Sequence, residues 1–139
     1  MALGGVEIPS NTGLQGHSDA DVILHALMDA LLGAAGLGDI GQHFPPSDEQ
    51  FRGISSLVLL SRVRDLVEQS GYSVVNADVM VVAEEPRLSG HVAAMRLAIS
   101  RALRVDAARI SIKATTNEGV GPEGRREAIS AQAVALVES

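Results

Sequence analysis

Apolar residues recur at helical spacing in three stretches of the chain. The first, Ala26, Leu27, Met28, Ala30, Leu31 and Leu32, predicts a helix from about residue 19 that stops at Gly36 and Gly38, because repeated glycine makes continuation costly. The second, Leu57, Leu60, Val63, Leu66 and Val67, predicts a helix from near Ser55 to Gly71. Val92, Met95, Ile99 and Leu103 form the third stripe, over residues 89–103. Between them the period changes. Residues 72–83 are alternating and β-branched, hence a strand, and residues 110–115 and 129–137 read as two more, joined by a Gly-rich segment over 119–124. Residues 6–8 read as the end of a strand cut short by Pro9 and a turn around residues 11–13. A long loop is expected over residues 38–48, and a loop of that length in a small domain usually has a task.

Strands interleaved with helices in this proportion predict an α/β chain, an α+β sandwich whose mixed sheet is covered on one face by helices. The chain has 139 residues, 46% of them hydrophobic, which is enough for one domain with a real core, and no repeat or composition shift marks a second. Only Phe44, Phe51 and Tyr72 are aromatic, so the core must be built from Val, Leu, Ile, Met and Ala, and stacking on nucleic-acid bases is not expected. A formal charge of -6 argues against a nucleic-acid or anionic membrane surface. No cysteine is present, which leaves His, Asp and Glu as the strong metal ligands. With no apolar run of membrane length and no signal-peptide pattern, a soluble cytoplasmic protein is the expectation.

The first helical stretch carries more polar chemistry than packing needs. His17, Ser18, Asp19, Asp21, His25 and Asp29 sit in or just before it. Ser18 or Asp19 can cap the helix, His25 falls one turn after Asp21 and one before Asp29, and His17 lies ahead of the cap near the positive end of the helix dipole. We read this as half of a metal and phosphate site. A second cluster is Lys113-Ala114-Thr115-Thr116-Asn117-Glu118-Gly119 at a strand end, where hydroxyls and amides suit phosphate oxygens and Glu118 could hold a hard cation. A third is Ala83-Glu84-Glu85-Pro86-Arg87-Leu88, a strand broken at proline that presents Arg87 beside a helix entry.

Taken together, His17-Ser18-Asp19-x-Asp21-x-x-x-His25-Ala26-Leu27-x-Asp29, Gly38-Asp39-Ile40-Gly41, Phe44-Pro45, Lys113-Ala114-Thr115-Thr116 and Glu118 resemble the 2-C-methyl-D-erythritol 2,4-cyclodiphosphate synthases over nearly the whole chain. The resemblance implies a homotrimer with active sites between subunits and a channel along the three-fold axis. It also implies a reaction in which the 2-phosphate of a cytidine diphosphate derivative of methylerythritol closes on the nearer diphosphate phosphorus and expels CMP. By likeness, His25 is a ligand of Zn²⁺ or another divalent ion and Glu118 a ligand of Mg²⁺ or Mn²⁺, while His17 and Thr116 stabilise the transition state. Ser18, Asp39, Ile40, Gly41, Phe44, Pro45, Pro46, Ser47 and Asp48 resemble the part that holds the methylerythritol phosphate. Ala83, Pro86, Arg87, Leu88, Ser89 and Thr115 resemble the cytidine and α-phosphate pocket of the adjoining subunit, and Asn117 and Arg125 are counted with the substrate-binding residues.

The chain also departs from the family. It starts after the strand whose Asp-x-His completes the zinc site, so it is expected to be N-terminally truncated relative to the family, with a sheet edge left unpaired. A catalytically impaired trimeric nucleotide-binding scaffold or pseudoenzyme is the alternative reading. Pro122 replaces an aromatic residue, Arg87 a lysine and Asn117 a third threonine, while Pro46-Ser47 stands for an aspartate-threonine pair. Without the resemblance, His25 reads as a core histidine and Asp19 and Asp21 as caps. His43, His91, Glu84 and Glu85 are then assigned to the surface, and Arg125 and Arg126 to a solvated turn, with a phosphate or a neighbouring subunit as the other reading for Arg125.

Overall fold

The computed structural model describes residues 1–9 and 20–139. His17, Ser18 and Asp19 lie outside the described residues, and so does the predicted turn at residues 11–13. The chain opens with a hairpin of β1 (Ala2–Leu3) and β2 (Val6–Glu7), which replaces the single strand end expected at residues 6–8. Gly4 and Gly5 form its turn, both at positive φ, and a Cβ at Gly4 would stand 2.6 Å from the Met95 side chain. Glycine is required there for conformation and for space.

Helix α1 (Val22–Ala34) begins later than expected because Asp21 is its cap. The Asp21 carboxylate is fully buried and accepts from the backbone N–H groups of Leu24 (3.0 Å), Gly4 (2.9 Å) and Gly5 (2.8 Å). One side chain therefore caps α1 and ties it to the hairpin turn. The helix ends where predicted, with Gly36 in the left-handed region and the Leu37 N–H returning to the Leu32 carbonyl. The predicted loop at 38–48 contains a short helix α2 (Ile40–His43), capped by Asp39. Helix α3 (Ser56–Gln69) is capped by Ser55.

Strand β3 (Ser73–Val82) is followed by helix α4 (Val92–Leu103), strand β4 (Ile110–Thr115), a single-turn helix α5 (Gly121–Gly124) and strand β5 (Ser130–Glu138). The sheet order is β4-β3-β5, with β3 parallel to β4 and antiparallel to β5, a mixed sheet as predicted. Helix α4 makes the crossover that a parallel pair requires. Arg96 fastens the start of β4 by donating to the carbonyls of Ala107 (2.9 Å) and Ile110 (2.8 Å).

Alternation along the strands sorts the two faces. Val74, Ala77, Val79, Val81, Ile110 and Ile112 are buried under α1, α3 and α4, with α3 packed between the other two helices. Met80, Val134 and Leu136 point to the opposite face and are exposed. The register pairs Val82 with Thr115, and the Ala83 N–H donates to the Thr115 carbonyl at 3.0 Å. Strands β3 and β4 consequently release their chains at the same end of the sheet.

Candidate functional site

His25 stands on the second turn of α1, half-buried, with its Nε2 3.3 Å from the hydroxyl of Ser56, a fully buried residue at the start of α3. Beside it opens a cavity of about 240 Å³ lined by His25, Ile40, Gly41, Phe44, Pro46, Phe51 and Leu59. The wall comes from the segment between α1 and α3, and that segment is anchored through its backbone. Asp29, exposed at the far end of the His25 face, accepts the Ile40 N–H at 2.9 Å. Asp39 accepts the Gln42 N–H at 3.0 Å, and Asp48 accepts the Gln50 N–H at 3.1 Å. The carboxylates at 29, 39 and 48 thus shape the wall. His43, expected on the surface, is half-buried, with its Nε2–H donating to the Leu37 carbonyl at 2.7 Å. Phe44 and Phe51 meet edge to face at 5.3 Å, which closes the apolar side. Pro45 supplies the carbonyl that accepts the Asp48 N–H at 3.0 Å, and Ser47 is exposed.

A second cavity, of about 170 Å³, lies where β3 and β4 end together. Ala83, Glu84, Arg87, Leu88, Ser89, Ala114, Thr115 and Thr116 line it. Its floor, Ala83 and Leu88, is buried, and the Arg87 side chain is exposed at its edge. Glu84 corrects the expectation of plain surface charge: it is half-buried, and its Oε2 is enclosed without a hydrogen-bond partner among the described residues. Glu85 pairs with Arg126 at 3.4 Å, so the turn carrying Pro86 is tied to the Gly-rich segment.

Beyond Thr116 the chain turns sharply. Glu118 is exposed at φ +51°, and its N–H donates to Thr116 Oγ1 at 3.2 Å. Asn117 Nδ2 donates to Glu123 at 3.2 Å. Arg125 is exposed and paired with Glu127 at 3.1 Å. Pro86, Asn117, Glu118 and Arg125 line neither cavity, and the two cavities share no lining residue.

Of the residues expected to hold the methylerythritol phosphate, Ile40, Gly41, Phe44 and Pro46 line one cavity together with His25; of those expected in the nucleotide pocket, Ala83, Arg87, Leu88, Ser89 and Thr115 line the other, together with Thr116. Sequence reasoning missed Ser56, Phe51, Leu59 and Glu84. A hydroxyl at a helix start and two apolar residues carry no signal before the helices are packed, whereas Glu84 follows directly on a strand end. Among the described residues no three His, Cys, Asp or Glu side chains converge on a point that could hold a metal ion, so His25 supplies a single imidazole. No helix among the described residues is long and apolar enough to cross a membrane.

Known proteins match this arrangement over its whole length. The pattern of the YgbB family matches residues 1–138. A 2-C-methyl-D-erythritol 2,4-cyclodiphosphate synthase of Symbiobacterium thermophilum is 61% identical over 137 residues, spanning 99% of this chain and 87% of its own. The synthase of Syntrophomonas wolfei is 56% identical over 138 residues, with 99% and 88% coverage. Among solved structures, a 2C-methyl-D-erythritol-2,4-cyclodiphosphate synthase in its CDP-bound form superposes with a TM-score of 0.90 at 39% identity, covering 99% of this chain and 89% of that one. The bifunctional IspDF of Campylobacter jejuni gives a TM-score of 0.94 at 41% identity over 99% of this chain, which corresponds to 37% of that longer protein. With matches of this extent and identity, the chain belongs to the YgbB family, the family of the 2-C-methyl-D-erythritol 2,4-cyclodiphosphate synthases.

Proposed function

We propose that this chain converts 4-diphosphocytidyl-2-C-methyl-D-erythritol 2-phosphate to the 2,4-cyclodiphosphate with release of CMP, a phosphorus-oxygen lyase reaction, in a site shared between subunits of a homotrimer. The observation that carries this reading is the division of one chain into two half-sites without a common lining residue. The substrate has matching halves. Its nucleotide would occupy the cavity around Ala83, Leu88 and Thr115, a reading favoured by the CDP found in two relatives, one of them the Plasmodium falciparum protein. The methylerythritol phosphate would sit against Ile40, Gly41 and Phe44, whose apolar lining suits a branched carbon chain. A second copy brings the two together. The exposed apolar sheet face of Met80, Val134 and Leu136 offers a surface for that association.

In the reaction, an oxygen of the 2-phosphate bonds to the β-phosphorus as the bond from that phosphorus to the bridging oxygen breaks, and CMP leaves with the bridging oxygen. Little covalent chemistry falls to the protein. Its task is to hold two anionic groups in line, exclude water and offset charge. Arg87 and the hydroxyls of Thr115 and Thr116, which line that cavity, would bind phosphate oxygens at the nucleotide end. The anchored wall at 40–46 would fix the sugar alcohol. His17 and Ser18 are assigned here by their place in the motif alone.

A divalent cation would supply charge neutralisation. Glu118 suits Mg²⁺ or Mn²⁺, which accept one carboxylate together with phosphate oxygens and water. His25 would contribute one ligand to Zn²⁺ or a similar ion, with the remaining ligands drawn from beyond the described residues. The test is to follow CMP release from the cytidine diphosphate substrate before and after chelation. Turnover that stops on chelation and returns with added metal is expected. Turnover indifferent to the chelator refutes the metal assignment, and CDP binding without turnover in the presence of metals favours the scaffold.

A further inference from the structure

The segment carrying Thr116 and Glu118 is held from the opposite side of its own turn. Glu118, Gly119 and Gly121 all lie at positive φ (+51°, +81° and +76°), so the chain doubles back directly after the strand. The Val120 N–H closes this reversal on the Asn117 carbonyl at 3.0 Å, and the Gly124 N–H then returns to the Val120 carbonyl at 3.2 Å. The backbones touch at the base of the turn: a Cβ at Gly124 would fall 2.3 Å from the Gly119 carbonyl carbon, with no flexible side chain to give way. Pro122, in the first turn of α5, restricts that strand of the turn. Among the described residues a side-chain bond crosses the contact, from Asn117 Nδ2 to Glu123 Oε2 at 3.2 Å. Asn117 lies between Thr116 and Glu118, so whatever fixes it fixes both neighbours. Asn117 is a position at which this chain departs from the family pattern given above, and Glu123 follows another, Pro122.

We propose that Asn117 and Glu123 are a positioning pair: their hydrogen bond holds the Thr116 hydroxyl and the Glu118 carboxylate where the phosphates are handled. The inference rests on the proposed reaction for its consequence and on the geometry alone for its existence. The pair is polar, directional and reversible in sense, because an amide donates and a carboxylate accepts. Exchanging the two groups should therefore preserve the bond and the net charge.

The experiment compares Asn117→Asp, Glu123→Gln and the double variant with the wild type. Two readouts are taken: amide hydrogen exchange of residues 117–121, and kcat and KM for CMP release at saturating divalent cation. In Asn117→Asp two carboxylates oppose each other. Exchange of the loop amides should speed up, and kcat should fall roughly three- to tenfold with little change in KM, as expected for a partly exposed charge-assisted bond that acts on positioning. Adding Glu123→Gln places a donor opposite the new carboxylate and should restore most of the protection and most of kcat. A double variant no better protected than Asn117→Asp overturns the pair. Protection restored without kcat overturns its positioning role and leaves Asn117 acting on substrate directly. If the wild type itself releases no CMP while the exchange pattern is rescued, the pair stands and the proposed reaction fails.

Discussion

Asp21 offers the most quantitative test of how this sequence places its site. Its carboxylate is fully buried and, among the described residues, accepts the backbone N–H groups of Gly4, Gly5 and Leu24 at 2.8–3.0 Å. In Asp21→Asn, Oδ1 can still accept from Gly4 and Leu24, but the amide nitrogen is turned toward the Gly5 N–H, donor against donor. Losing one charge-assisted bond and leaving one donor unpaired costs about 2 kcal/mol. Asp21→Ala removes both acceptor oxygens and with them all three bonds, the α1 cap among them, and the summed loss is about 4 kcal/mol, at the upper end for single substitutions. Against a typical domain stability of about 5–15 kcal/mol, the alanine variant should be marginal. Since the chain has no Trp, unfolding in urea is best followed by far-ultraviolet circular dichroism, at one protein concentration because association adds to stability. The expected order is wild type, then Asn, then Ala. An Asp21→Asn midpoint equal to that of wild type would refute the reasoning, since the Gly5 donor would then have no need of a carboxylate. His25 follows Asp21 by one helical turn, so a loosened first turn should also weaken CMP release.

Two further outcomes follow from the cavities and the turn. Ala83→Leu fills much of the cavity at the β3 and β4 ends and should weaken CDP binding by about tenfold or more in calorimetry, whereas unchanged affinity would place the nucleotide elsewhere. Gly124→Ala drives a methyl group into the Gly119 backbone and should open the turn, with CMP release falling by about tenfold or more; an active, equally stable variant would show that the close approach is not required.

Much of this was legible in the chain, for physical reasons that differ by element. Helix α3 and strand β4 follow from patterning alone, because each has one buried face and a clear stop: Ser55 and Gly71 bound the helix, and the apolar alternation of Ile110 and Ile112 gives way to polar residues after Thr115. The start of α1 was not legible. Ser18, Asp19 and Asp21 are all competent caps by type, and the choice of Asp21 is made by the hairpin turn, whose amides arrive from residues distant in sequence. The short helices at 40–43 and 121–124 were hidden for a related reason, since a single turn has no periodicity to read. At the site, part of each local motif lines a single cavity: Ile40, Gly41, Phe44 and Pro46 one, and Ala83, Arg87, Leu88 and Ser89 the other. Residues delivered by another helix, Ser56 and Leu59 against His25, were not legible, because their contribution exists only after α1 and α3 pack. Glu84 and Glu85 illustrate the limit of composition: adjacent identical residues, one half-buried in a cavity and the other exposed and paired with Arg126.

The claim that one site is assembled from two chains can be tested by complementation. His25→Ala and Glu118→Gln proteins, each inactive alone, are unfolded together, refolded into mixed assemblies and assayed for CMP release. If the helix bearing His25 and the turn bearing Glu118 meet across a subunit boundary, random mixing restores intact pairs at about a quarter of the sites, and activity returns to a comparable fraction of wild type. Mixtures that stay as inactive as their parents, while wild type refolded the same way recovers, would place both residues of each working site in one chain and contradict the account.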